Sequence, residues 1–326
     1  GARPAKGRNI AIAEWPTDST VSKKGYADYA LFVGTKLVGI IEAKAEHKDI
    51  PSVIDYQGKD YPRNIRKEDA EYQIGTWGEF KVPFTFATNG RPYLEQFKTK
   101  SGIWFLDLRE PSNVPMALHG WISPNGIMER LEKNKGIKVN DLPATLKELK
   151  KAGYKDILVQ PTHLLHGEEY EHKVLTTVDK FKGDFDRIVV SDPLMVGKND
   201  FAIAASAVAT QFPTLGKGEG VVLMGHGSPR DNNQSFGNTY KMLQETFDKM
   251  GLPVVVGTVE EVDTPNVDEV LEQIKARGYK TVHMFPLMIV AGDHANNDMY
   301  GDEEDSWKSM IEKMGVKTVG HLQGIG

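Results

Sequence analysis

The sequence predicts an α/β protein whose C-terminal part is a duplicated parallel sheet and whose N-terminal part is a smaller α/β domain of a different kind. From residue 141 onward, segments with helical spacing of apolar residues alternate with short apolar runs, the pattern of a parallel sheet covered by helices. The segment 146–161 aligns without a gap on 271–286, which indicates two homologous halves. Before residue 133 the pattern is instead one of hairpins and aromatic turns.

Composition limits the chemistry that this chain can carry out. A net charge of -5 gives no chain-wide basic surface, so nucleic acid is neither required nor excluded as a partner. There is no cysteine, so any metal must be held by histidines and carboxylates. No apolar run approaches the roughly 18–20 residues of a membrane span, and residues 1–6 lack the apolar core of a signal peptide. The sequence therefore predicts a cytoplasmic protein with no membrane partner.

The first element with chemical potential is a predicted hairpin of strands 26–32 and 37–44. Antiparallel pairing brings Asp28 to the end that carries Glu42 and Lys44, and these two, spaced by two, point to the same face. Two carboxylates can hold Mg²⁺ against a scissile phosphate while the lysine orients water or stabilises charge, which suits phosphodiester hydrolysis. The alternative is a solvated strand end with an incidental Glu-Ala-Lys.

A predicted helix over 50–63 follows the hairpin and carries Gln57 and Tyr61 on one face. Together, Asp28, Glu42-x-Lys44 and Gln57-x-x-x-Tyr61 resemble the PD-(D/E)xK nuclease domain of type I restriction enzyme R subunits, and the resemblance covers about 130 residues. It implies a Mg²⁺-dependent DNA endonuclease fragment in which these five residues are catalytic and the two acids bind Mg²⁺. DNA and restriction-modification subunits are the implied partners.

Two departures from that family are visible. The opening helix, which helps to build the nuclease site, is expected to be missing or reduced to the part around Glu14. A Walker-type Gly-x-x-x-x-Gly-Lys-Ser/Thr loop does not occur, so ATP-driven translocation is not an activity of this chain.

The repeat organises the rest of the chain. Apolar periodicity predicts helices at 141–153, 166–181, 199–212 and 233–250, and strands at 156–160, 187–190, 220–224, 253–259 and 281–290. Carried forward, the repeat register sets Glu169 on His294. Carried backward, it places the first half's opening strand near residue 101, inside the nuclease-like segment. The first half is thus expected to be incomplete, and the predicted domains are 1–133, 134–218 and 219–326.

Three potential metal ligands follow successive strands of the second half: His226, Glu260 and His294. The carboxyl ends of parallel strands share one edge of a sheet, so a site of two histidines and one carboxylate is predicted there. Such ligands suit Co²⁺, Ni²⁺, Fe²⁺ or Zn²⁺ better than Mg²⁺ or Ca²⁺. A structural role for strand-end histidines is the alternative.

These residues also carry a second resemblance. The motifs Met224-Gly225-His226-Gly227, Val259-Glu260 and Pro286-Leu287-Met288-x-Val290-Ala291-Gly292-Asp293-His294 are similar to those of anaerobic sirohydrochlorin cobaltochelatases of cobalamin biosynthesis, over about 190 residues. The resemblance implies a chelatase fold and ATP-independent insertion of Co²⁺ into a tetrapyrrole. It implies that His226, Glu260 and His294 hold the ion and that His226 or His294 removes pyrrole protons. His163 and Glu168 would contact the tetrapyrrole or close the cleft.

The sequence therefore predicts a cobaltochelatase, a lyase, fused to a nuclease-like domain. A Mg²⁺-dependent endonuclease fragment is the alternative, and an inactive chimera of two incomplete proteins is a third interpretation. The sequence leaves open whether the fusion is natural or artificial, and it does not indicate an oligomeric state.

Overall fold

The structure is a computed structural model that describes residues 2–20, 25–97, 101–122, 125–228 and 238–325. The chain forms two compact units, one of residues 1–157 with 181–187 and one of residues 158–180 with 188–326. No helix in these described ranges is long and apolar enough to cross a membrane.

The N-terminal unit is built on a six-stranded sheet whose spatial order follows the chain. Its strands are β1 (Asn9–Pro16), β2 (Tyr26–Val33), β3 (Lys36–Ala43), β4 (Phe84–Thr88), β5 (Ile103–Asp107) and β6 (Met116–Leu118). All neighbours are antiparallel except β3 and β4, which are parallel. The predicted hairpin is therefore present, with Tyr29 opposite Ile41.

Helix α1 (Ile50–Arg63) joins β3 to β4 and packs against both. Pro51 stands in its first turn, where the missing N–H costs nothing, and Ile50, Ile54 and Tyr61 supply the buried face. Helix α2 (Asn125–Lys135) follows β6. Glu14 lies within β1 at φ 52°, so the described residues before β2 contain a strand and not the opening helix of the restriction family.

The second chelatase-like half contains a four-stranded parallel sheet in the order β10-β9-β11-β12. Its strands are β9 (Glu219–Gly225), β10 (Val254–Thr258), β11 (Thr281–Leu287) and β12 (Lys317–Gly320). Helices cover both of its faces, which is why every residue of β10 is buried. The cluster on one face includes α5 (Lys198–Ala209) and α6 (Thr239–Lys249), and that on the other includes α7 (Val267–Arg277) and α8 (Trp307–Lys313).

The first half repeats part of this arrangement. Its elements are α3 (Leu142–Lys151), β7 (Asp156–Val159), a π-helix (Tyr170–Leu175), α4 (Thr176–Phe181) and β8 (Arg187–Val190). When the first half is shifted by the 125 residues of the repeat, α3 falls on α7 and β7 falls on the start of β11. The π-helix Tyr170–Leu175 then falls within one residue of the π-helix His294–Met299. Two equivalent halves are thus present at the level of secondary structure.

The first half is incomplete, as the register predicts. Its sheet contains only β7 and β8, and no other described strand pairs with them. One face of β7 is buried through Ile157 and Val159, whereas on the other face Leu158 is 52% exposed and Val189 of β8 is 44% exposed. A parallel sheet normally has both faces covered. The strand and helix that would cover this face have no counterpart among the described residues.

Candidate active site

A cavity of about 400 Å³ lies at the carboxyl ends of β9 and β11, within the C-terminal unit. This is the edge at which α/β sheets bind their ligands. Most of its wall surface is apolar, and histidine and glutamate side chains add polar groups to it. The lining residues are Thr162, His163, Leu164, Leu165, Gly167, Glu168, Glu169, Tyr170, His226, Gly227, Ser228, Tyr240, Leu287, Met288 and Ile289.

Two glycines present His226 to the cavity. Gly225 ends β9 with no room for a side chain, because a Cβ there would lie 2.2 Å from Cε1 of Tyr240. Gly227 has φ 91°, which turns the chain sharply after the histidine. The Gly227 N–H donates to Tyr240 Oη at 3.3 Å and thereby ties the turn to α6. The imidazole of His226 is left 54% exposed.

His294 lies beside His226. Its position follows from the pairing of β11 with β9, which sets Leu287 opposite Gly225 and brings the two strand-end loops together. The ring centroids of the two histidines are 4.8 Å apart with the planes at 88°. His294 begins the π-helix His294–Met299, and its Nδ1 is 2.7 Å from Asp298 Oδ2. Short π-helices recur at functional sites.

The contacts of His226 determine which of its two ring nitrogens carries the proton. Its Nδ1 is 3.1 Å from the carbonyl oxygen of Gly227, and a carbonyl can only accept, so Nδ1 carries the proton in this contact. In the neutral imidazole Nε2 then has the lone pair. That nitrogen is available to a metal ion or to a proton.

Glu260 also lies next to His226, with Oε1 4.0 Å from the histidine Nδ1. His226 thus adjoins both other predicted ligands. Within the described ranges, however, no three His, Asp or Glu side chains are arranged as a group that could hold a metal ion. Glu260 approaches the Nδ1 side of His226, which the Gly227 carbonyl already occupies. The side chains of Glu260 and His226 are 40% and 54% exposed, respectively.

The two weaker candidates line the same cavity. Burial lowers the pKa of His163, with Glu169 acting in the opposite direction and Lys173 adding to the decrease, so the imidazole is neutral at pH 7. Its Nδ1 is buried without a hydrogen-bond partner. The Glu168 N–H lies 3.4 Å from Ser228 Oγ, and its carboxylate is 49% exposed.

Glu169 is a cavity residue that residue-by-residue interpretation of the sequence missed. Burial alone would raise its pKa, but the hydrogen bond and charge of Lys173, followed by His163 and His226, lower it below its usual value. The carboxylate is therefore ionised. The repeat register, which aligns Glu169 with His294, was the sequence signal that could have identified it.

The nuclease-like residues assemble in the N-terminal unit as the hairpin predicts. Asp28 Oδ2 accepts from the Ala43 N–H at 2.7 Å, and Lys44 Nζ donates to Glu42 Oε1. Glu42 is only 2% exposed, and its Oε2 has no hydrogen-bond partner. Burial raises the pKa of Glu42, Lys44 opposes that rise, and Asp28 adds to it.

The other two predicted nuclease residues form a pair on α1. Gln57 Nε2 donates to Tyr61 Oη at 3.3 Å, and Tyr61 is 2% exposed. Because α1 packs against β3, the strand that contains Glu42, the pair belongs to the same side of the sheet as that acid.

Comparison with known proteins assigns the N-terminal and C-terminal parts of the chain to different families. A family model described as cobalt chelatase (CbiK) matches residues 118–326, and one described as the second domain of the type I restriction enzyme EcoKI endonuclease subunit matches residues 1–131. The sirohydrochlorin cobaltochelatase of Salmonella typhimurium is 34% identical over 200 residues, 61% of this chain and 73% of that protein. The sirohydrochlorin cobaltochelatase CbiKC of Nitratidesulfovibrio vulgaris is 29% identical over 227 residues, 69% of this chain and 78% of that protein.

The type I restriction enzyme EcoKI endonuclease subunit of Escherichia coli is 38% identical over 156 residues, 40% of this chain but only 13% of that subunit. Among solved structures, SirB from Bacillus subtilis with Fe³⁺ is 16% identical with a TM-score of 0.39, over 62% of this chain and 81% of that chain. Both predicted resemblances are thus confirmed. Since the cobalt chelatase model matches well over half of its length, this chain belongs to the cobalt chelatase (CbiK) family and carries ahead of that region a segment of restriction endonuclease type.

Proposed function

We propose that this chain inserts Co²⁺ into sirohydrochlorin without ATP. The observation that carries the proposal is the pair His226 and His294, whose rings lie 4.8 Å apart beside an apolar cavity of about 400 Å³. That volume is typical of small-molecule sites. The chain's family and its two sirohydrochlorin cobaltochelatase relatives support this substrate.

Metallation exchanges two pyrrole protons for one Co²⁺, so the protein needs a proton acceptor beside the ring and ligands that deliver the ion. The Nε2 lone pair of His226 can accept one of the two protons after the ion has left it, and His294, whose Nδ1 faces Asp298, can accept the other. Glu169 lines the same cavity as His226 and adds a carboxylate to its polar wall. The aliphatic wall of Leu287, Met288 and Ile289 excludes water from the macrocycle.

Under this proposal Co²⁺ is a substrate delivered by His226, Glu260 and His294, all exposed at the cavity side of the sheet. Ni²⁺, Fe²⁺ and Zn²⁺ suit the same donors and are the competing metals. His163, neutral because it is buried, and Glu168 contact the tetrapyrrole.

The experiment follows the absorbance of sirohydrochlorin after addition of Co²⁺ and the protein. His294→Ala should lower the initial rate by about 100-fold or more, as expected when a positioned acid-base group is removed. His47→Ala is the matched control, because His47 is exposed in the N-terminal unit, and it should keep the parent rate. A folded parent chain that gives no rate above that of free Co²⁺ would rule out the proposal.

We also propose a second activity, Mg²⁺-dependent DNA cleavage, on the basis of the buried Glu42 oxygen that has no hydrogen-bond partner. A cation is a suitable partner for this oxygen, and Asp28 and Glu42 would hold it. Bound Mg²⁺ would polarise a phosphodiester. Lys44, held by Glu42, would orient the attacking water or stabilise charge on the phosphate. Restriction-modification subunits are proposed partners, since this region corresponds to only 13% of its restriction relative.

Nicking of supercoiled plasmid with and without Mg²⁺ tests the second activity. Lys44→Ala should abolish nicking, whereas Lys59→Ala, which removes an α1 lysine paired with Asp55, should leave it unchanged. Equal nicking by both variants would refute a role for this site. If folded protein is blank in both assays, the chain is an inactive chimera.

A further inference from the structure

We infer that Asp298 is a positioning residue that fixes the tautomer and orientation of His294. The inference rests on the proposed chelatase function only for its effect on turnover. Asp298 Oδ2 is 2.7 Å from His294 Nδ1, which is the short distance of a charge-assisted hydrogen bond.

The backbone that carries the two residues is anchored in the core. His294 and Asp298 stand four residues apart on one π-helical turn, and Ala295 and Met299 on its other side are fully buried. Met299 packs in the cluster that includes Trp307 and Ile311. The separation of the two backbones is therefore set by packing and does not depend on the exposed side chains.

The hydrogen bond determines which nitrogen of His294 is free. The Asp298 oxygen accepts in this contact, so Nδ1 carries the proton and Nε2 has the lone pair. His226 reaches the same tautomer through the Gly227 carbonyl. Both histidines then offer Nε2, the nitrogen that can bind Co²⁺ or accept a pyrrole proton. Metal-binding histidines are commonly oriented in this way by a carboxylate behind the ring.

The neighbouring acids do not share this role. Asp302 pairs with Lys308 at 2.6 Å, and Glu304 pairs with Lys313 at 3.6 Å. Asp302 and Glu304 thus pair with lysines, whereas Asp298 contacts His294. Asp302→Asn is consequently a matched control for Asp298→Asn.

The direct test is ¹⁵N NMR of the histidine side chains in the full chain, with the His294 signals assigned by their loss in His294→Ala. We expect the Nδ1–H tautomer in the parent chain and in Asp302→Asn. In Asp298→Ala we expect the Nε2–H tautomer that free imidazole favours. An unchanged His294 tautomer in Asp298→Ala would overturn the inference, whether or not the chain metallates a tetrapyrrole.

Affinity and turnover supply the second readout. Asp298→Ala should weaken Co²⁺ binding, followed by the visible absorbance of the bound ion, by about 10- to 100-fold. It should raise the KM for Co²⁺ and leave the KM for sirohydrochlorin unchanged. Asp298→Asn, which retains an acceptor of the same shape, should fall between Asp298→Ala and the parent. An equal loss of Co²⁺ affinity in Asp302→Asn and Asp298→Ala would count against the positioning role. Parent-like Co²⁺ affinity in Asp298→Ala would also count against it.

Discussion

Gly225→Ala should disable the candidate active site by displacing the buried ring of Tyr240. The added Cβ would lie 2.2 Å from Cε1 and 2.8 Å from Oη of Tyr240, a side chain that is only 1% exposed. Van der Waals contact begins at 3.4 Å, so the tyrosine ring must retreat by about 1.2 Å. Its hydroxyl then loses the Gly227 N–H, and the turn that presents His226 shifts.

The expected costs follow from that displacement. Overpacking of a buried contact destabilises by about 1–3 kcal/mol. Misplacement of a reacting group by about 1 Å can lower turnover by roughly 100-fold. Thermal unfolding and the sirohydrochlorin absorbance assay measure the two effects. Gly183→Ala is the control, because a Cβ there meets nothing within 4 Å.

A double mutant separates this cause from a general loss of folding. Tyr240→Leu removes the ring atoms that the new Cβ would meet, so the cost of Gly225→Ala with Tyr240→Leu should be smaller than the sum of the two single costs. Additive costs, or parent-like turnover in Gly225→Ala, would refute the steric reasoning.

Three further predictions concern stability. Burial lowers the pKa of His119 to about 4, below the 6.5 of the unfolded chain, so His119 destabilises the folded state as pH falls from about 6.5 to 4. His119→Leu should therefore flatten the dependence of Tm on pH in that window, and an unchanged dependence would contradict the prediction. Burial raises the pKa of Glu42, so the ionised carboxylate opposes folding. Glu42→Gln should raise Tm at pH 7, and this increase in Tm should become smaller towards pH 4.5. A lower Tm at pH 7 in the variant would contradict the prediction. Asn266 caps α7 by accepting a hydrogen bond from the Glu269 N–H at 3.2 Å. Asn266→Ala should lower the free energy of unfolding, measured with denaturant, by about 1 kcal/mol. An unchanged free energy of unfolding would show that the cap is dispensable.

Local pattern was enough to predict that Asp28, Glu42 and Lys44 lie together in the N-terminal unit. Asp28, Glu42 and Lys44 lie on one hairpin, and hairpin pairing follows from strand alternation and a short turn. The approach of His226 to His294 was also predictable, because both follow neighbouring parallel strands whose carboxyl ends share an edge.

The remaining features depend on contacts that periodicity does not encode. The hydrogen bond between His294 and Asp298 lies on a π-helical turn, whereas in the sequence residues 298–305, with five acids, resemble an ordinary solvated loop. Tyr240 reaches the cavity from α6, and only the glycine that makes room for it was visible in the sequence. The Gly227 carbonyl occupies His226 Nδ1, so the sequence could predict the proximity of Glu260 and His226 but not the arrangement of the three proposed ligands.

The uncovered face of β7 and β8 has a consequence for how this molecule opens. Leu158 and Val189 face water, so side chains cover the backbone of β7 and β8 on one face only. The backbone of β10 is covered on both faces. The free energy of local opening decreases with buried contact, and amide hydrogens report it as exchange rates. The backbone N–H of Ser191, which donates to Val159, should therefore exchange for deuterium long before the N–H groups of β10. Among the described strands of the two parallel sheets, β7 and β8 should therefore open before β10.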